Sequence, residues 1–120
     1  MDYILIVDDQ ADIRRLLSIT LGKQYEVIEA DNGIEALYAA RKYHPVVVLL
    51  DVMMPGELDG LQVLEAIKSG EKTKEILVAM VTARGQQLDR EEAERRGADA
   101  YFIKPFSPLQ VINWIRENLK

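Results

Sequence analysis

Two stretches of this chain carry no polar residue on either face. Val46-Val47-Val48-Leu49-Leu50 and Ile76-Leu77-Val78-Ala79-Met80-Val81 are runs of five and six apolar residues. A strand with one wet face alternates, so uninterrupted runs of this length fit strands buried on both faces, as in a parallel sheet covered by helices. The first run ends abruptly on Asp51, and the chain then turns through Met53-Met54-Pro55-Gly56. In open parallel sheets ligands bind beyond the carboxyl ends of the strands. An acid held there by a buried strand is placed for chemistry, which makes Asp51 the candidate functional centre.

The remaining elements alternate around these runs. Tyr3–Val7 reads as a strand ending on Asp8-Asp9. A helix with Ile13, Leu16, Leu17 and Leu21 at helical spacing follows, with Gly22 as its stop. Tyr25–Ala30 is the next strand, and Asp31-Asn32-Gly33 turns into a helix with Ile34, Leu37 and Ala40 that runs to about Tyr43. His44-Pro45 breaks it. Beyond the loop, Asp59-Gly60 leads into a third helix with Val63, Leu64 and Ile67, ended by Ser69-Gly70. The second apolar run closes on Thr82. A fourth helix, Gln86 to Arg96, has only Leu88 and Ala93 as its main apolar contacts, and Gly97 ends it. Ala100–Ile103 is a fifth strand closing on Lys104. Ser107 and Pro108 open the last helix, whose stripe is Val111, Ile112, Ile115 and Leu119. Five strand–helix alternations predict an α/β sandwich with a parallel sheet between two helix layers, in one domain over 1–120.

Net charge is −5, and residues 1–60 hold 11 acids against 5 bases. Such a domain is a poor nucleic-acid binder by itself, and its acidic half suits a cation. There is no cysteine. With no membrane-length apolar run and no signal-peptide pattern, a cytoplasmic protein is expected.

Polar residues close four strands: Asp8 and Asp9, Asp51, Thr82 and Lys104. In a parallel sheet these emerge on one edge. Carboxylates brought to ~4 Å repel by ~4 kcal/mol per pair at an effective dielectric near 20. One lysine does not balance them, and hard oxygen ligands suit Mg²⁺, which keeps waters and favours a phosphate. A metal, a lysine and a hydroxyl around a carboxylate nucleophile are equipment for phosphoryl transfer. Each piece alone has a plainer reading: Asp9 as a cap for a helix starting near Ala11, Thr82 as a strand end, Lys104 as a surface lysine. Their agreement on one edge outweighs these.

Asp8-Asp9, Asp51 followed by Met54-Pro55, Asp59-Gly60, Thr82-Ala83 and Lys104-Pro105-Phe106 together resemble the receiver domains of two-component response regulators, over essentially the whole chain. The resemblance implies a flavodoxin-like five-stranded sheet of order 2-1-3-4-5 with five helices. It implies that Asp51 accepts phosphate from a histidine kinase's phosphohistidine. Asp9 and Asp51 would then bind Mg²⁺ directly and Asp8 through water, with the backbone carbonyl of Met53 completing the protein's share. Thr82 and Lys104 would contact the phosphoryl group, Tyr101 would follow Thr82, and Lys104-Pro105 would be cis. The chain departs from the family in a loop, Met54–Gly60, one residue longer than in chemotaxis-type receivers. It also has Ala100 where many DNA-binding relatives carry a second aspartate, which speaks against dimerisation through their charged face while leaving room for some phosphorylation-dependent dimer.

The function expected is a phosphorylation-operated switch with intrinsic self-phosphorylation and self-dephosphorylation, rather than an enzyme turning over external substrates. A phosphohydrolase with an aspartyl nucleophile usually wants an acid two residues on, where this chain has Met53. A flavin or nucleotide binder would need a phosphate cradle after the first strand, where Asp8-Asp9-Gln10-Ala11-Asp12 repels phosphate. An unphosphorylated scaffold is disfavoured because no site position is lost. Met53 and Arg84, two residues beyond Asp51 and Thr82, are expected to overhang the path of hydrolytic water. Met53-Met54 otherwise reads as loop packing, His44 as a solvated residue, and Arg90–Arg96 as a solvated helix face. The output face is placed on the fourth helix, fifth strand and last helix, with Trp114 about a hundred degrees off the buried stripe.

Overall fold

In the computed structural model, which describes residues 2–83 and 87–119, strands and helices alternate along the whole chain. The strands are β1 (Tyr3–Val7), β2 (Glu26–Ala30), β3 (Val47–Leu50), β4 (Leu77–Ala83) and β5 (Ala100–Lys104). The helices are α1 (Ala11–Leu21), α2 (Gly33–Tyr43), α3 (Gly60–Ser69), α4 (Gln87–Arg95) and α5 (Pro108–Asn118). All strands pair in parallel, in the order β2-β1-β3-β4-β5. The expected fold and order are both present. Gln86, the expected start of the fourth helix, lies outside the described residues, as do the side chains of Thr82 and 87–89.

The pleat divides the core in two. Leu5, Val7, Val48, Leu50, Val78 and Met80 face the layer of α2, α3 and α4. Ile4, Ile6, Val47, Leu49, Ala79 and Val81 face α1 and α5. Both faces of β3 are therefore covered, which is why its sequence shows no alternation. Full burial of one such side chain contributes about 1.5–3 kcal/mol, so the central strands are the most firmly held part of the chain.

Local chemistry sets the helix ends. Asn32 caps α2 by accepting from Glu35 N–H, and Ser107 caps α5 with Pro108 in its first turn. Asp59 forms a capping box with Gln62 at the start of α3. At the end of α2, His44 turns into the left-handed region (φ 48°), a conformation that histidine adopts more readily than β-branched residues do. Gly22 caps α1 but stays right-handed, its N–H bonded to the Ser18 carbonyl.

Candidate functional site

Register brings the acids together. Val7 is paired with both Ala30 and Leu50, so Asp8 and Asp51, each one residue further on, leave the sheet side by side. The backbone fixes both, since Asp51 N–H donates to the Val7 carbonyl at 3.0 Å and Asp8 N–H to the Ala30 carbonyl at 3.1 Å. Asp8 and Asp51 are 2% and 5% exposed, whereas Asp9 is open to solvent. One oxygen from each of the three carboxylates lies within 4.8 Å of the other two.

Three negative charges at that spacing repel by about 3.5 kcal/mol or more per pair at an effective dielectric near 20, less where Asp9 meets water. The counter-charge comes from the end of β5. Lys104 Nζ donates to Asp8 Oδ2 at 2.7 Å and to Gln10 Oε1 at 3.0 Å, and stands 3.5 Å from Asp51 Oδ2. Among the described residues, one ammonium faces three carboxylates, so the pocket carries an excess of acidic groups. With hard oxygen donors only, it has the chemistry that a small divalent cation needs.

Neither Asp8 nor Asp9 behaves as a helix cap. The N-cap of α1 is Gln10, with no side-chain cap bond. Asp8 instead accepts from Gln10 N–H at 2.9 Å, a local turn that leaves the Asp9 carboxylate beside the other two. The reading of Met53-Met54 as loop packing needs correcting for one of the pair. Met54 packs against the core, but Met53 is 73% exposed. Val52 turns inward after Asp51, and the residue after it is directed outward. The Met53 N–H donates to Asp51 Oδ1 at 3.3 Å.

Thr82 pairs with Ile103 in the β4–β5 register, at the same edge as the acids. Arg84 lies outside the described residues. The hydroxyl of Tyr101 is shut off from solvent, its ring packs against the core on the α2–α3–α4 side, and the Arg90 guanidinium lies 5.8 Å above that ring. The Lys104-Pro105 peptide is cis, as the resemblance implies. His44 is exposed, on the opposite edge of the sheet.

Five further residues shape the pocket, and four of them, Arg14, Glu29, Ser18 and Gln10, are not evident from sequence. Arg14 donates from Nη1 to the Asp8 carbonyl at 2.7 Å and from Nε to Glu29 at 3.0 Å. Ser18 donates to the other Glu29 oxygen at 3.2 Å, so α1 and β2 together grip the backbone that carries Asp8. Gln10 shares Lys104 with Asp8. Gly60 donates its N–H to the Val52 carbonyl, and a Cβ there would stand 1.9 Å from the Asp51 carbonyl oxygen. Only the Asp59-Gly60 dipeptide offered any signal for this role. Arg14 and Glu29 become partners only once β1 and β2 are paired.

Known proteins agree with this geometry. The family model of the response regulator receiver domain matches residues 4–116. The chain is similar to the probable transcriptional regulator ycf27 of Pyropia yezoensis, 46% identical over 120 residues, which cover 99% of this chain and 48% of that protein. It is similar to the transcriptional regulatory protein SrrA of Staphylococcus aureus, 41% identical over 118 residues, covering 98% and 47%. It thus spans about half the length of the curated relatives it matches. Among solved structures, the signal receiver domain of a DNA-binding response regulator from Colwellia psychrerythraea has a TM-score of 0.92 at 26% identity, covering 99% and 98%. The chemotaxis response regulator CheY4 of Vibrio cholerae has a TM-score of 0.89 at 32% identity, covering 99% of each chain.

Proposed function

The chain belongs to the response regulator receiver domain family of two-component systems, and on that premise we propose that Asp51 is the phosphoacceptor of a Mg²⁺-dependent switch. The observation that carries this reading is a nearly buried carboxylate at the end of the central strand, with a second buried acid, an exposed acid and a lysine around it. An oxygen of Asp51 attacks the phosphorus of a histidine kinase's phosphohistidine. The P–N bond breaks as the new P–O bond forms, and its electron pair returns to the imidazole nitrogen. The product is an aspartyl phosphate.

Asp9 and Asp51, with the Met53 carbonyl, would hold the Mg²⁺, and Asp8 would act through water. Bound there, Mg²⁺ supplies positive charge against the phosphoryl oxygens. Lys104 is poised to leave Asp51 for the incoming phosphoryl group, because its shorter bond is to Asp8. Thr82 would donate to the same group and draw Tyr101 after it. The same pocket supports intrinsic self-phosphorylation by small donors and self-dephosphorylation. It carries no acid two residues beyond Asp51 for turnover of other substrates.

We read residues 1–120 as one receiver unit that works in the cytoplasm, where a cysteine-free domain fits. Its partners would be a sensor kinase or phosphotransfer protein and a downstream effector protein or domain, without direct nucleic-acid contact through this unit. Several relatives are named as transcriptional regulators, which supports an effector that acts on transcription. The output face would be α4, β5 and α5. Incubation with a small acyl-phosphate donor and Mg²⁺, read by intact mass, should show one phosphoryl adduct that Asp51→Asn lacks. An adduct of equal yield on the variant would remove Asp51 from the role.

A further inference from the structure

The outer face of α2 takes no part in the acid pocket or in the proposed output face, yet it exposes large apolar side chains beside the site loop. Ile34 and Tyr38, one turn apart, are 56% and 63% exposed. Leu37 and Leu58 lie half-buried beside them, and Leu58 comes from the loop that follows Asp51. Two hollows of about 440 and 480 Å³ meet at Ile34 and Leu58 and form one groove along the helix. The groove is electrically bipolar. Glu35 and Glu57 stand at the α2 N-terminal end, Arg41 and Lys42 at the other.

That polarity selects the occupant. A partner segment of uniform charge is drawn to one end and repelled at the other. A second copy of the same face, related by a two-fold axis, is complementary at both ends without further design. Helix geometry allows it: at 3.6 residues per turn Glu35 and Lys42 are two turns apart and within about 20° of one flank, with Tyr38 between them. In an antiparallel α2–α2 pair, equivalent flanks meet, so a dyad beside Tyr38 sets Glu35 of each copy against Lys42 of the other. The exposed Tyr38 ring then enters the hollow beside Leu37 and Leu58 of the second copy. Aromatic residues with a polar tip are well suited to such an anchor.

We propose that α2 is a self-association surface on which two copies of this chain pair antiparallel through Tyr38, independently of phosphorylation at Asp51. The absence of cysteine allows a direct test. Tyr38→Cys should cross-link to itself under mild oxidation far faster than Ile19→Cys, a control on α1 that is slightly more exposed. Sedimentation equilibrium of the unmodified chain should show a dimer that Tyr38→Ala weakens by about tenfold or more. Glu35→Lys should weaken it by several-fold, since each lost rim pair occurs twice in a symmetric interface, and Glu35→Lys combined with Lys42→Glu should restore it. A small acyl-phosphate donor should leave the association unchanged. A monomer up to millimolar concentration, equal cross-linking at positions 38 and 19, or a dimer insensitive to Tyr38→Ala would each overturn the proposal.

Discussion

Replacing Lys104 with methionine should make the fold depend on a divalent cation. The side chains of Lys104, Asp8 and Asp51 are 11%, 3% and 6% exposed, so little solvent screening is available. At an effective dielectric near 20, contacts of 2.7 and 3.5 Å correspond to gross attractions of about 6 and 5 kcal/mol, against about 3.5 kcal/mol or more of repulsion between the two acids. Most of the attraction is offset by desolvation, so the net cost of removing one partner from such a buried cluster is about 3–5 kcal/mol. Methionine keeps the apolar stem and confines the loss to charge. Urea unfolding of Lys104→Met without divalent ions should show that loss. Saturating Mg²⁺ should recover most of it, because a ligand at a hundred times its dissociation constant stabilises by about 2.7 kcal/mol. Mg²⁺ should also bind the variant more tightly than the parent, which calorimetry reads directly. Equal destabilisation with and without Mg²⁺ would mean that Lys104 matters for packing alone. A more stable variant in the absence of cations would mean that desolvation outweighs pairing, and either result refutes the reasoning.

Gly60→Ala should cost about 3 kcal/mol in urea unfolding, since its Cβ must displace the Asp51 carbonyl, and should slow modification of Asp51 beyond what the stability loss explains. Met53→Asn should shorten the lifetime of the aspartyl phosphate about fivefold, a change of about 1 kcal/mol in the hydrolysis barrier, as a shielding thioether gives way to a side chain that orients water. Phosphate release from purified phosphoprotein measures it. Beryllofluoride with Mg²⁺, standing in for the phosphoryl group, should alter hydrogen exchange within residues 82–106 and around Trp114; changes confined to 13–43 would move the output face elsewhere.

Much of this was legible in the residues. Apolar runs, turn dipeptides and caps give the alternation, because each is a local signal that the burial of β3 or the cap at Asp59 merely completes. Strand order is different. No periodicity says that β1 lies between β2 and β3, and only resemblance to a family supplied it. The pocket follows the same division. Asp8, Asp51 and Lys104 were identifiable because strand ends in a parallel sheet share an edge. The closer approach of Lys104 to Asp8 than to Asp51, and the grip of Arg14 on the Asp8 backbone, depend on distances that only register fixes. Trp114 shows the limit of helical-wheel arithmetic. Its offset from the stripe is real and it is half-buried, but its ring stands edge-on to Phe102 at 6.2 Å, covering the rim of the core from the neighbouring strand.

The attachment of α4 explains why a change at the pocket should be read there. Among the described residues, α3 buries Val63, Leu64 and Ile67 and α5 buries Val111, Ile112 and Ile115, whereas α4 buries Ala93. The described ion pairs of α4 and the residue after it include Arg90–Glu94 and Arg95–Glu92 within the helix and Arg96–Glu65 to α3, each with at least one exposed partner. Pairs of that kind contribute about 0–1 kcal/mol apiece. Contacts of that size can be exchanged within the few kcal/mol that separate two conformations of a switch. Tyr101 would supply the connection under the proposed function, because its ring lies beneath Arg90 on one side and belongs to the strand that ends at Lys104 on the other. On the proposed function, a movement of that ring would change the floor on which α4 rests, three residues from the lysine expected to contact the phosphoryl group.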